Sequence, residues 1–282
     1  MAELFDSGVG YSAINTARSA ISTILEVNNS TFGMHPMAKR FLKGVFQQKP
    51  SLPRYDVVWD VNQVLNRLRC YPPIECISLK ELTLKVVMLL ALLTGQRTQT
   101  IHCLDINHMV ITDTKCTFYL IRLLKQSRPG KHPKQIELEA FDEEHSLCII
   151  RHLKAYIQKT SVHRKDSSKS QLLLSFQKPF KPVSKDTISR WIKIVLKDAG
   201  IDITQFTAHS TRAASTSAAA NAGAPVESIL QSAGWSQCGT FAKFYHKPVN
   251  VTCNLGSVLL HANKEVSTYS LSFMMLFMIT GL

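Results

Sequence analysis

The stretch His209-Ser210-Thr211-Arg212, followed by Gly234-Trp235 and then by Phe244-Tyr245, decides how this chain is read. Upstream, Thr94-Gly95-Gln96-Arg97 closes an apolar helical run that begins near Ser78. Two arginines, a histidine, a tryptophan and a late tyrosine form a set able to hold one phosphodiester and attack it. Breaking DNA without a metal needs a nucleophile, neutralisation of the phosphorane charge and a proton for the leaving oxygen. Arginine suits the second task, because its planar fork donates two hydrogen bonds to a phosphate and stays charged. Arg97 ends a helix in which its stem can be packed and its head aimed. Arg212 lies three residues after His209, so both belong to one face of a helix start, where free amides favour an anion.

His209 can donate to a non-bridging oxygen or take the nucleophile's proton, since an unperturbed imidazole titrates near pH 6.5. Trp235 offers an indole N–H on a rigid apolar body and is equally at home as plain core. Tyr245, within Phe241-Ala242-Lys243-Phe244-Tyr245-His246-Lys247-Pro248, is the candidate nucleophile. A phenol titrates near pH 10, so attack at neutral pH needs a cationic pocket and a base. For the acid, the middle of the chain carries Arg122, Lys125, Arg128, Lys131 and Lys134 with no acidic residue between them. Lys125, just after an expected strand, is the first choice and Lys131 the alternative. A solvated basic turn that touches phosphates without chemistry is the competing reading.

Charge supports a nucleic-acid partner. The 282 residues carry 33 Lys and Arg against 20 Asp and Glu, a formal net charge of +13. That balance points to a polyanion. Double-stranded DNA is favoured over a membrane, because no basic amphipathic helix or lipidation signal is visible. Arg122, Arg128, Lys131, Lys134, Lys185 and Arg190 are the expected DNA contacts. Residues 151–197 hold twelve Lys and Arg against Asp166 and Asp186, so phosphate contacts are expected there too. The seven cysteines are scattered and form no C-x-x-C pair, which supports neither a disulfide framework nor a zinc site. Gly130-Lys131 lacks the upstream glycine of a phosphate loop and no dinucleotide fingerprint appears, so no small-molecule cofactor and no metal are expected. The first residues lack the pattern of a signal peptide, and the apolar stretch 271–279 is too short to span a bilayer, which takes roughly 20 residues. An intracellular, nuclear protein is expected.

The fold class expected is mostly α with a small antiparallel β-sheet. Apolar residues at helical spacing predict helices over 9–26 and 37–46, and the prolines of 47–54 read as a linker. Beyond it, helices are expected over 57–68 and 78–93, the latter opened by a Ser78-x-x-Glu81 capping box. Alternation predicts strands at 109–112, 117–124 and 135–140, turned at Arg128-Pro129-Gly130. Helices resume at 147–158, 185–199 (closed by Gly200), 210–222, 226–233 and 240–245.

At this point the ordered residues Arg97, a hairpin lysine, His209-x-x-Arg212, Trp235 and Tyr245 resemble the catalytic set of tyrosine recombinases, the phage-integrase superfamily. The resemblance covers roughly residues 54–250. Thr94-Gly95-Gln96-Arg97, Pro182-Val183-Ser184-Lys185-Asp186-Thr187-Ile188-Ser189-Arg190-Trp191 and His209-Ser210-Thr211-Arg212-Ala213-Ala214-Ser215 are similar to the eukaryotic mobile-element branch, of the DIRS and Crypton kind. Gly10 to Ser19 resembles a late helix of the family's N-terminal core-binding domain. The resemblance implies a partial, SAM-like core-binding domain over 1–46, a linker at 47–54, a catalytic domain over 55–262 and an apolar tail at 263–282. It implies a C-shaped clamp on duplex DNA and a site-specific recombinase or integrase that works through a 3′-phosphotyrosyl bond, as a homo-oligomer, a tetramer on DNA. The chain departs from the family pattern in three places. Thr100 stands where an acidic residue is common, the Trp235–Tyr245 spacing is one residue longer than in many bacterial members, and the tail gives no obvious exchangeable helix. The alternatives are a non-catalytic DNA-binding fragment or host-adopted mobile-element module, and a topoisomerase of the same chemistry.

Overall fold

The computed structural model describes residues 1–50, 55–124, 127, 135–164, 170–235, 239, 241–242 and 247. The chain divides into two units, Met1–Tyr55 and the part from Asp56 onward. The first unit is built on α1 (Ala2–Asp6), α2 (Tyr11–Ile21) and α3 (Pro36–Gln48). The helix expected over 9–26 stops at Ile21. Asn28 and Asn29 then take positive φ, and a two-residue ladder, β1 (Glu26–Val27) on β2 (Ser30–Thr31), turns the chain back. Ile24 and Leu25, whose apolar character extended the helical pattern, are exposed. A small core of Ile14, Leu42 and Val45, covered by Phe5, Tyr11 and Phe41, joins the helices. The helix expected over 37–46 runs two residues further, to Gln48, into the first part of the expected linker.

The second unit is mostly helical with one small sheet. Asp60 accepts from the Asn62 amide and starts α4 (Val61–Arg69). The expected capping box opens α5 (Leu79–Thr94): the Glu81 amide donates to Ser78 Oγ, and the Ser78 amide donates to the Glu81 carboxylate. Twelve of the sixteen residues of α5 are buried, on all sides of the helix, which places it at the centre of the unit. Gly95, at φ +57°, caps it in the left-handed conformation that glycine adopts without strain. A short α6 (Thr98–His102) follows, which the sequence pattern did not disclose.

The meander is antiparallel, in the order β3 (Met109–Ile111), β4 (Lys115–Phe118), β5 (Ile136–Glu139). The second strand lies earlier than the expected 117–124. Cys116 and Phe118 point inward against Ile136 and Leu138, whereas Tyr119, Ile121 and Leu123 continue the alternation but are exposed. A Lys115–Glu137 ion pair at 2.9 Å fits this register. Then come α7 (Ile149–Ser161), α8 (Lys185–Asp198), α9 (Ser210–Asn221) and α10 (Val226–Ala233), close to the expected spans. α5 packs against α7, α8 and α9, and α9 against α10. The basic turn with Lys125, Arg128, Lys131 and Lys134, most of the helix expected at 240–245, and the tail at 263–282 lie outside the described residues. Among the described residues no helix is long and apolar enough to cross a membrane.

Candidate active site

The site assembles around the C-terminal end of α10. An α-helix leaves its last four carbonyls without intrahelical partners, and here those of residues 230 to 233 are each taken. Gly234, at φ +69°, turns the chain so that its own amide donates to Gln231 O (3.1 Å) and the Trp235 amide to Leu230 O (2.8 Å). That pair is the Schellman arrangement of a glycine-capped helix. Ser232 O accepts from Gln96 Nε2 at 2.6 Å, and Ala233 O accepts from Arg212 Nη2 at 2.7 Å. Arg97 directly follows Gln96, so the two guanidinium-bearing segments meet the same helix end at successive carbonyls.

Arg212 is 2% exposed. Its guanidinium lies over the Trp235 ring, 4.2 Å from the centroid, a geometry in which a desolvated cation gains from the ring quadrupole. Trp235 therefore presents its face to Arg212, and it packs in one cluster with Ile229, Ala233 and Phe241. The sequence left the tryptophan between core and donor; the structure buries it and sets it directly against an arginine. His209 caps α9 at its N-terminus and is exposed. It shares the helix start with Arg212 as expected, but the two side chains part: one faces outward and the other is buried. α9 is itself fixed at that end, because Trp59 Nε1 donates to the buried Ser210 Oγ at 2.9 Å.

Arg97 sits at the N-cap of α6 in extended backbone, half-buried. Its turn lies tightly on α9 and α10. A Cβ at Gly95 would stand 3.1 Å from Thr216 Cγ2 and 3.6 Å from Ala233 Cβ, a close approach, and the φ of +57° is what favours glycine there. Ser232 Oγ donates to Thr94 O at 3.2 Å, and the Gln96 amide to Thr94 Oγ1 at 3.2 Å. Gln96, Ser232 and Trp59 are the site residues that sequence reasoning missed. Their partners are 136 to 151 positions away along the chain, and no local pattern announces such a contact.

Tyr245 lies outside the described residues, as do the alternative acids Lys125 and Lys131. Both flanks of the tyrosine are fastened to the same helices. Phe241 stacks at a tilt on Trp235, with centroids 5.7 Å apart, and the Lys247 amide donates to Ser217 Oγ on α9 at 3.0 Å.

Among the expected DNA contacts, Arg122 and Lys185 both act on His102. Burial first, then the positive charges of Arg122 and Lys185, hold the His102 imidazole below its ordinary range. Lys185 opens α8 and Arg190 lies one turn on, bonded to Thr187 Oγ1 at 3.0 Å. An open cleft of about 500 Å³ beside α8 is lined by Arg190, Trp191, Phe176, Lys181 and their neighbours, with no acidic side chain. Besides Arg190, three further basic residues of the stretch 151–197 are engaged within the protein. Arg164 donates to the Gln171 and Leu172 carbonyls, Lys159 to Ile77 O, and Lys154 pairs with Asp113. Among the described residues there is no cluster of metal-ligating side chains, and the five described cysteines are free.

Comparison with known proteins gives this arrangement a context. A family model described as the phage integrase family matches residues 62–250. The fold is similar to that of XerH site-specific recombinase bound to a palindromic difH substrate (post-cleavage complex), with a TM-score of 0.55 and 14% identity over 86% of this chain and 65% of that one. It is likewise similar to Tn1549 transposon integrase in complex with transposon right end DNA, with a TM-score of 0.55 and 16% identity over 93% and 82%. A pre-cleavage complex of XerH on difH gives 0.52 and 11% over 84% and 67%, so the chain spans about two thirds of the XerH length. At such identities the likeness is one of fold. No curated protein sequence matches the chain.

Proposed function

The chain belongs to the phage integrase family, and on that premise we propose that it breaks and rejoins duplex DNA with Tyr245 as the nucleophile. Arg97 and Arg212 hold the scissile phosphate. His209 donates to a non-bridging oxygen or takes the phenolic proton, and Lys125 or Lys131 protonates the departing 5′ oxygen. The bond from Tyr245 Oη to phosphorus forms as the bond to the 5′ oxygen breaks, leaving a 3′-phosphotyrosyl link and a free 5′ hydroxyl. The hydroxyl of a partner strand then reverses the step, so the phosphodiester energy is kept and no ATP is consumed. One protomer supplies one tyrosine, so exchange between duplexes requires several copies, and a homo-oligomer on DNA follows. The unit at 1–46 acts as a partial core-binding domain and 55–262 as the catalytic domain. The motifs of the mobile-element branch make this a nuclear protein of transposon descent.

The observation that carries the reading is the convergence of Gln96-Arg97 and Arg212 on successive carbonyls of α10. Both XerH and Tn1549 integrase are solved on DNA, which supports duplex DNA as the partner. The test starts with a duplex enriched by binding from a random-sequence pool and nicked close to the protected centre. Incubation should give a covalent protein–DNA adduct on denaturing gels, and Tyr245→Phe should remove it entirely. An adduct that survives in the phenylalanine variant rejects this nucleophile. Salt-sensitive binding with no adduct from the unaltered chain makes it a DNA-binding module instead.

The surface around His102 gives a second expected result. Each phosphate neutralised contributes about −0.9 to the slope of log affinity against log salt. Arg122→Gln and Lys185→Gln should each flatten that slope by about one and weaken binding to all sequences alike. Titrations of the same duplex from low to moderate salt read this directly. An unchanged slope in the double variant removes both residues from the interface.

A further inference from the structure

We infer that Gln96 and Ser232 are positioning residues, and that the end of α10 is the gauge that sets Arg97 against Arg212. This rests on the reading of the two arginines as the phosphate-holding pair. The four terminal carbonyls of α10 are shared in order: Leu230 and Gln231 close the helix's own turn, Ser232 takes Gln96, and Ala233 takes Arg212. The two carbonyls that accept these side chains are one residue apart, so the segments they hold cannot shift separately without breaking a bond to a rigid element. The hold on the Arg97 turn is reciprocal. Gln96 Nε2 donates to the Ser232 carbonyl at 2.6 Å, while Ser232 Oγ donates back to the Thr94 carbonyl at 3.2 Å. Gly95 between them lies close against α9 and α10, where an added Cβ would stand 3.1 Å from Thr216 Cγ2 and 3.6 Å from Ala233 Cβ. Helix-terminal carbonyls carry partial negative charge, which suits amide and guanidinium donors. Gln96 and Ser232 reach the phosphate only through Arg97. Misplacement of a phosphate ligand by a fraction of an ångström weakens it in the transition state more than in simple binding.

The test uses the full chain carrying Tyr245→Phe, so that no cleavage intervenes, on the enriched duplex with either a phosphate or a neutral methylphosphonate at the scissile position. The ratio of the two affinities reads how well the arginine pair grips that one charge. The parent should prefer phosphate by about a hundredfold. Gln96→Leu should reduce the preference to about tenfold, Ser232→Ala should reduce it less, and Ser232→Thr, which keeps the hydroxyl, should restore it. Affinity for the methylphosphonate duplex should not move. In an Arg97→Ala background, Gln96→Leu should have no further effect, because groups acting through one another are not additive. The inference is overturned if Gln96→Leu keeps the full preference, lowers both affinities equally, or has the same effect without Arg97. A parent with no preference at all rejects the arginine pair itself, which is a different result from any of these.

Discussion

Arg212→Lys should lower the rate of strand cleavage about a hundredfold while DNA affinity changes little. Lysine keeps the positive charge, so long-range attraction to the duplex is preserved. It loses the planar fork, and the fork performs three tasks at once here. One Nη donates to Ala233 O at 2.7 Å, the plane lies 4.2 Å from the Trp235 centroid, and in the proposed mechanism the remaining donors face the phosphate. An ammonium on a flexible stem can satisfy one of those tasks but cannot hold the geometry of all three. Loss of one preorganised donor to a developing oxyanion costs about 3 kcal/mol of barrier, a hundredfold in rate. Folding stability should fall too, by about 1–2 kcal/mol, because a buried hydrogen bond and a desolvated cation–π contact are both weakened. Single-turnover cleavage on saturating nicked duplex separates rate from affinity, and thermal melting reads the stability. A variant that cleaves at the parent rate would make Arg212 a purely structural residue.

How far the sequence disclosed this arrangement depends on the range of each signal. The start of α5 was legible because Ser78 and Glu81 satisfy each other's backbone within one turn. Gly200 marked a helix end for the same local reason, since it adopts positive φ. Periodicity failed where apolar residues face solvent. Ile24 and Leu25 extended α2 on paper, and Tyr119, Ile121 and Leu123 displaced β4, although all five are exposed in the fold. Family membership and the order of Arg97, His209, Arg212 and Trp235 were readable as motifs. Their spacing along the chain gave no hint that Arg212 would turn inward onto Trp235 or that Arg97's turn would be held by Ser232. Those are contacts between elements far apart in sequence, set by how α9 and α10 pack on the end of α5. The choice between Lys125 and Lys131 stays as the sequence left it, since both lie outside the described residues.

Stability should fall steeply between pH 6.5 and pH 4, and His152 should account for much of the loss. The residue sits on α7 with 1% exposure, its Nδ1 2.7 Å from the Cys148 carbonyl. Burial is the main reason that its imidazole is held down at about 4, and the charges of Lys85 on α5 and Arg151 beside it act in the same direction, against the raising effect of the Cys148 carbonyl. The folded state therefore keeps His152 neutral where an unfolded chain, with an imidazole near 6.5, binds a proton. Above pH 6.5 neither state is protonated and the residue imposes no slope. From there down to about 4 the unfolded state takes up a proton that the folded state refuses, so stability drops by about 1.4 kcal/mol per pH unit, about 3 kcal/mol in all. Below that both states are protonated and the contribution is constant. Glu144, held at about 2 by Arg69 and Ser146, titrates lower and leaves the upper part of this window clear. His102 is also held down and adds slope of the same sign, so the comparison must be made against a variant that retains it. In His152→Gln a side-chain amide can still donate to the Cys148 carbonyl but cannot take up a proton. Its stability should lie below the parent at pH 7.5, because the new side chain fits the buried site less well, and should approach or exceed the parent's at pH 4.5. Urea unfolding at pH 7.5, 6 and 4.5 reads both curves, and parallel curves would show that the buried imidazole has no part in the acid sensitivity.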